Sequence, residues 1–502
     1  MSVSPQTKPT SSPGEGEWVN RFARLPEAFF ERPAPAPFPG AHCLATSPTM
    51  TARLGLSPEA FHADPWLGAC TRGSALVGTD PVASVYAGHQ FGVLVPQLGD
   101  GRAKLLGELC TPAGEHWELQ VKGAGPTRFS RGADGRAVLR SSIREYLVSE
   151  AMAALGIPTT RAVALFGSSL RVMRERIEPG AIVLRAAPSF LRFGHFEYFH
   201  YNGYSGRLAE LLDYALGHDY PELREAEDPV AALLEAVIAR TARMIADWQA
   251  VGFCHGVMNT DNMSLLGLTI DYGPFAFMDA YDPGYICNHT DQGGRYAFDQ
   301  QPQIAQWNLI RLAETLVCSF ADPTREAAIE RAQDLLQQFL PQYEQAWMAH
   351  MRAKLGLRDT QPDDRALIDD LLARMAAEGV DYTRFFRQLP ELDDPATHAM
   401  LEAELEEVEA WRAWWTRYQA RRAQDTRSAE TREAAMHAVN PKFVLRNHLA
   451  QEAIDQAEAG DASGVLKLQE ILARPFDEQP EHEGYAGLPP AWASGIQLSC
   501  SS

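Results

Sequence analysis

Lysine is scarce in this chain, with six in 502 residues. A lysine that closes an apolar strand therefore stands out. Cysteine is also sparse: seven residues, scattered at positions 43, 70, 110, 254, 287, 318 and 500, with no C-x-x-C pair. That spacing excludes a zinc knuckle and a secreted disulfide framework. No uninterrupted apolar run reaches the roughly 18 to 20 residues that span a bilayer. Residues 1–16 (MSVSPQTKPTSSPGEG) lack the apolar core of a secretory signal. They predict a disordered tail on a cytoplasmic protein. Positive charge is in deficit as well: the net charge is −20. A chain of that sign has no general attraction to nucleic acid or to an anionic membrane. What remains is 45% hydrophobic and 22% charged residues, an ordinary globular composition.

The pattern along the chain is uneven. Residues 17–200 read as a small β-rich lobe. Ala103–Leu109 and Trp117–Lys122 read as strands joined by a Pro- and Gly-containing turn. Ser141–Leu155 carries apolar residues at helical spacing and stops at Gly156-Ile-Pro158. Two more strand-like runs follow, Thr160–Phe166 and Ser169–Glu175. Asp228-Pro-Val opens a long helix that reaches Val251, with an N-cap aspartate and proline at the first position. Residues 201–330 thus read as a larger helical lobe interrupted by a loop-rich stretch, 255–302. Residues 331–474 read as an all-helical extension, and 475–502 as an irregular tail. The class expected is α+β, in the bilobal order of a protein-kinase-like fold.

Four segments carry chemistry. Leu98-Gly-Asp-Gly-Arg102 is a polar loop between strands. Gly99 and Gly101 let backbone amides approach phosphate oxygens, and Arg102 adds charge. The same tripeptide is also a common hairpin turn. Lys122 ends a strand, and Glu145 lies 23 residues later on the predicted helix. A phosphate-reaching lysine held by a helix carboxylate is the kinase arrangement, though both residues also read as solvated surface positions. His255-Gly-Val-Met-Asn-Thr-Asp261-Asn262 keeps the His-to-Asn spacing of a kinase catalytic loop. Val257, however, stands where the proton-accepting aspartate belongs, and only Asp261 is acidic. Asp271-Tyr-Gly follows nine residues after Asn262 and matches the metal-binding Asp-Phe-Gly. Asn262 and Asp271 offer hard oxygen ligands suited to Mg²⁺ or Mn²⁺. Arginines at 171, 174, 176, 185 and 192 read as phosphate clamps or as salt-bridged surface.

Together these segments resemble the selenoprotein O family, the bacterial YdiU-like pseudokinases. The resemblance also rests on Tyr86-Ala-Gly-His-Gln-Phe-Gly92, Glu118–Ser130, Asp134–Glu145, Ala187–Glu197, Gly252–Pro274 and Asn440–Asn447. It implies protein adenylylation: AMP passes from ATP to a Ser, Thr or Tyr hydroxyl, and pyrophosphate leaves. It further implies ATP contacts from Gly99, Gly101, Arg102, Lys122, Asp134, Gly135, Arg185 and Arg192. Glu145 would orient Lys122, Asn262 and Asp271 would hold the metal, and Asp261 would take the proton. Cys500 falls where eukaryotic relatives carry selenocysteine. That position implies a redox-sensitive thiol, and it reads equally as an exposed cysteine on a frayed end. The expected partners are ATP and hydroxyl-bearing proteins, with no nucleic acid, no membrane and no second copy of the chain. Rival readings are a uridylyltransferase using UTP and manganese, a kinase-like phosphotransferase, and a non-catalytic nucleotide-binding scaffold. Val257 argues against the phosphotransferase.

Overall fold

Apolar strands in the N-terminal part build a large antiparallel sheet, buried along both faces of its central strands. The computed structural model describes residues 17–499; the predicted disordered tail and Cys500 lie outside them. The sheet has seven strands: β1 (Glu17–Trp18), β2 (His42–Thr46), β3 (Ala103–Cys110), β4 (His116–Lys122), β5 (Ala137–Val138), β6 (Arg161–Met173) and β7 (Ile177–Ala187). Its order is β1-β3-β4-β7-β6-β2, with β5 beside β7. The β3–β4 hairpin is closed as its composition predicts. Thr111 N–H donates to Glu115 O at 2.7 Å, and Gly114 N–H donates back to Thr111 O at 2.8 Å.

The two strand-like runs expected at 160–166 and 169–175 are one strand of 13 residues, β6. Gly167-Ser-Ser suggested a break because small polar residues usually punctuate strands. Instead the chain absorbs them as an irregularity in the β6–β7 register between Gly167 and Arg171. Leu106, Leu119, Val121, Phe166, Ile182 and Leu184 pack with Phe38, Met50 and Phe61 into the core of this part.

Helix α1 (Leu139–Ala154) follows the sheet's short fifth strand. It matches the predicted helix within two residues at either end. Three further helices matter for the site: α2 (Phe193–Tyr201), α3 (Pro229–Ala250) and α4 (Gln301–Leu316). Asp228 caps α3 as expected, accepting hydrogen bonds from the Val230 and Ala231 amides. Beyond residue 325 the regular elements of the described chain are helices, around a second core that includes Met351, Phe385, Phe386, Trp411, Trp414 and Tyr418.

By compactness the chain divides into two units. The first comprises residues 1–86, 97–142 and 160–190; the second comprises 87–96, 143–159 and 191–502. A small sheet-rich N-terminal region and a large helical C-terminal part are therefore what the structure shows. Among the described residues no helix is long and apolar enough to cross a membrane.

Candidate active site

In the first unit the glycine loop joins the sheet through Asp100. Its Oδ2 accepts from Ser84 N–H at 2.9 Å, from Ser84 Oγ at 2.7 Å and from Gln120 Nε2 at 3.4 Å. Gly99 has φ +140°, and a Cβ there would lie 2.5 Å from the Phe129 ring. Packing against Phe129 alone thus requires a glycine at this position. Arg102 is exposed, and its backbone carbonyl accepts from Gly123 N–H at 2.7 Å. Lys122 is buried at the end of β4, between Ala103 and Val183 on the flanking strands. Arg185 on β7 is buried too. Its Nε and Nη2 donate to Gln120 Oε1 at 2.8 and 2.5 Å, and its guanidinium lies 5.2 Å from the Phe190 ring centroid. Asp134 is paired with Arg174 at 2.8 Å, and that guanidinium holds its carboxyl below the usual range. Gly135 O accepts from Gly125 N–H at 3.0 Å. Of the arginines read from sequence as one cluster, Arg174 is paired with Asp134, Arg185 is buried in the sheet, and Arg192 falls in the second unit.

In the second unit the loop His255–Asn262 and the segment around Asp271 are tied together. His255 Nε2 lies 2.9 Å from Ile270 O, and its ring stacks on Trp248 with centroids 5.3 Å apart. The Trp248 indole N–H donates to Thr269 Oγ1 at 2.9 Å. These bonds hold the loop that carries Asp261 and Asn262 against Ile270, the residue before Asp271. Arg192, the residue before α2, joins them. Its Nη1 donates to Asp261 O at 2.9 Å and pairs with Asp271 Oδ2. Its own N–H donates to Nδ1 of His195 at 3.1 Å, and burial lowers that histidine to about 3. Glu145 is buried on α1, and the neighbouring Arg144 donates to Phe275 O at 2.7 Å and to Asn447 Oδ1 at 3.0 Å.

Asp261 is the unusual member. Oδ2 receives one long bond, from Gln90 Nε2 at 3.4 Å, while Oδ1 is buried with no hydrogen-bond partner. Burial pushes the carboxyl up to about 7, against the opposing pull of Arg192. A carboxylate so placed holds a proton near neutral pH and can take one from a bound hydroxyl. A cation nearby would pull the value down again.

The oxygens fit a divalent metal. Asn262 Nδ2 donates to Val257 O at 3.0 Å, which leaves Oδ1 as the amide's available ligand. Asp271 sits at φ +56°, a left-handed conformation uncommon for a non-glycine residue, at the turn after Ile270. Among the described residues no group of three or more His, Cys, Asp or Glu is arranged to hold a metal ion. Any cation there would depend on an amide, a carboxylate and the phosphates of a ligand.

The family model for protein adenylyltransferase SelO matches residues 15–473. The chain belongs to the SelO family. A protein nucleotidyltransferase YdiU of Thioalkalivibrio sulfidiphilus is 57% identical over 486 residues, covering 97% of this chain and 99% of the relative. A protein of the same name from Myxococcus xanthus is 50% identical over 485 residues, covering 96% and 98%. One from Aeromonas hydrophila is 52% identical over 490 residues, covering 96% and 99%. This SelO-family chain is a nucleotidyltransferase. The segment 86–92, quoted from sequence only as part of the resemblance, supplies Gln90 to the Asp261 carboxylate. The sequence alone assigns no role to Glu197, His89 or Thr260. Their bonds cross 63 to 171 positions, and no local spacing carries that signal.

Proposed function

We propose that the chain is a protein adenylyltransferase on a protein-kinase-like fold. In this reading the acceptor hydroxyl oxygen bonds to the α-phosphorus of ATP. The bond from that phosphorus to the bridging oxygen of the β-phosphate breaks, and pyrophosphate leaves with the electron pair. The hydroxyl proton passes to Asp261. Lys122, oriented by Glu145, together with Arg102 and Arg185, takes phosphate oxygens; Gly99, Gly101, Asp134 and Gly135 line the nucleotide. Asn262 and Asp271 would hold Mg²⁺ or Mn²⁺, which would offset phosphate charge. Arg192 keeps Asp271 aimed and its charge matched. The observation that carries the reading is the Asp261 carboxylate, buried, half unpartnered and next to Asn262, in a loop whose usual base position holds Val257.

The test is transfer from ATP labelled on the α- or the γ-phosphate to a hydroxyl-bearing protein such as casein. Label should remain on the protein from the α position only. Retention from the γ position alone would show phosphoryl transfer and end the proposal. Competition among ATP and UTP, each with magnesium or manganese, separates adenylyl from uridylyl transfer.

A further inference from the structure

We propose that the short strand Gly88–Gln90 is a cradle for Asp261, and that His89, Glu197 and Thr260 form the lock that holds it in place. The inference rests on Asp261 being the proton acceptor, and it adds the residues that position it. Side chains alternate along a strand. Gly88 and Gln90 accordingly meet Asp261, while His89 points the other way, to Glu197. A Cβ on Gly88 would lie 2.3 Å from Asp261 Oδ1 and 2.9 Å from its Cβ. The carboxylate thus occupies the room that a side chain at 88 would take. Backbone conformation does not require this glycine, since its φ lies outside the left-handed region; the space alone does.

The lock is a closed ring of buried groups. His89 N–H donates to Thr260 Oγ1 at 2.7 Å; Thr260 Oγ1 donates to Glu197 Oε2 at 2.7 Å; His89 Nδ1 lies 2.8 Å from Glu197 Oε1. Thr260 and Glu197 are fully buried. The threonine hydroxyl spends its single donor on Glu197 and accepts from His89, so swinging away would break both bonds. The His89 ring is further wedged edge-on against Tyr201 and Trp307, at 5.7 and 5.3 Å. Ala87 N–H donates to Gly194 O at 2.9 Å, and Phe91 N–H donates to Asn259 Oδ1 at 3.2 Å. Both ends of the strand are therefore tied down around the residue that precedes Asp261 in the chain. A base misplaced by about 1 Å can lose on the order of 100-fold in rate.

Gly88→Ala, Thr260→Val, Thr260→Ser and Asp261→Ala would be compared with wild type by transfer from α-labelled ATP to casein. Gly88→Ala and Thr260→Val should each lower kcat by about 10- to 100-fold, with KM for ATP within about 2-fold. Thr260→Ser, which keeps the hydroxyl, should recover most of the Thr260→Val loss. The proposal is overturned if the first two variants keep wild-type kcat, if the loss lies in KM, or if Thr260→Ser falls as far as Thr260→Val. Should Gly88→Ala fail to fold by circular dichroism, the Thr260 pair decides alone. Wild-type kcat in Asp261→Ala would bring down the base assignment and the cradle with it. An inactive Asp261→Ala beside unaffected Gly88→Ala and Thr260→Val would remove the cradle only.

Discussion

Asp100 in the first unit and Asp261 in the second are both buried carboxylates, 3% and 8% exposed. Their surroundings differ. Asp100 meets a backbone amide, a hydroxyl and a side-chain amide on one oxygen. Asp261 has a single long bond on one oxygen and none on the other. A buried polar atom left unmatched costs about 1–3 kcal/mol, and more when charged. A fold keeps such an atom only where something else gains. The satisfied carboxylate therefore reads as structure, and the unsatisfied one reads as chemistry awaiting its partner.

Three measurements would break or sharpen that contrast. The largest effect is expected from Asp261→Ala, which should cut transfer from α-labelled ATP by about 10²- to 10⁴-fold. The same variant should not lose stability. Its carboxyl is raised to about 7, so the cost of burying the charge is fully present above that pH and fades as pH falls toward the unfolded value. Removing the group should raise unfolding free energy by about 1 kcal/mol at pH 8, read by urea denaturation without nucleotide or cation. A marked drop in stability would place Asp261 with Asp100 instead. Next comes Asp100→Ala, expected to lower unfolding free energy by about 3 kcal/mol in the same assay, because the Ser84 amide loses its acceptor. In the folded fraction kcat should hold and any loss should lie in KM for ATP, because Asp100 anchors the loop that carries Gly99 and Gly101.

The smallest effect concerns Lys354, a buried cation of the second unit. Its Nζ lies 4.2 Å from the Phe386 ring centroid and 5.2 Å from that of Tyr382, and burial lowers it from 10.5 to about 7. Between those values the unfolded chain binds the extra proton, so the cost is largest at and below pH 7 and vanishes above about 10.5. The rings offset part of it. Lys354→Met should stabilise the chain by about 1–2 kcal/mol at pH 7, with the gain shrinking as pH rises. A gain that is flat across pH 7–10 would show that the lysine is buried charged.

The hairpin Ala103–Lys122, helix α1 and the aspartate cap at 228 were all legible from sequence, because their signals lie within a few residues of one another. The same holds for the spacing of Asp261, Asn262 and Asp271, which one pair of loops carries. Arg192 was legible as a charge and, through the resemblance, as an expected ATP contact, but not by its partners. Its bonds to Asp261 O and Asp271 need α2 to place it, which sequence neighbours such as Arg185 cannot reveal. The strand break expected near Ser168 failed because sheet pairing outweighed the local preference of small polar residues for turns. His89 and Glu197 were legible as residues of quoted motifs but not as each other's partners.

The chain passes between the two units five times on its way to residue 191. No single cut, then, yields either unit whole. A fragment beginning at Leu191 would carry Asp261, Asn262 and Asp271 yet leave behind Gly88, His89 and Gln90. Dissection by truncation would report a dead enzyme without saying which group had failed. Point substitutions, or a split protein rejoined from two expressed pieces, are the instruments this connectivity permits.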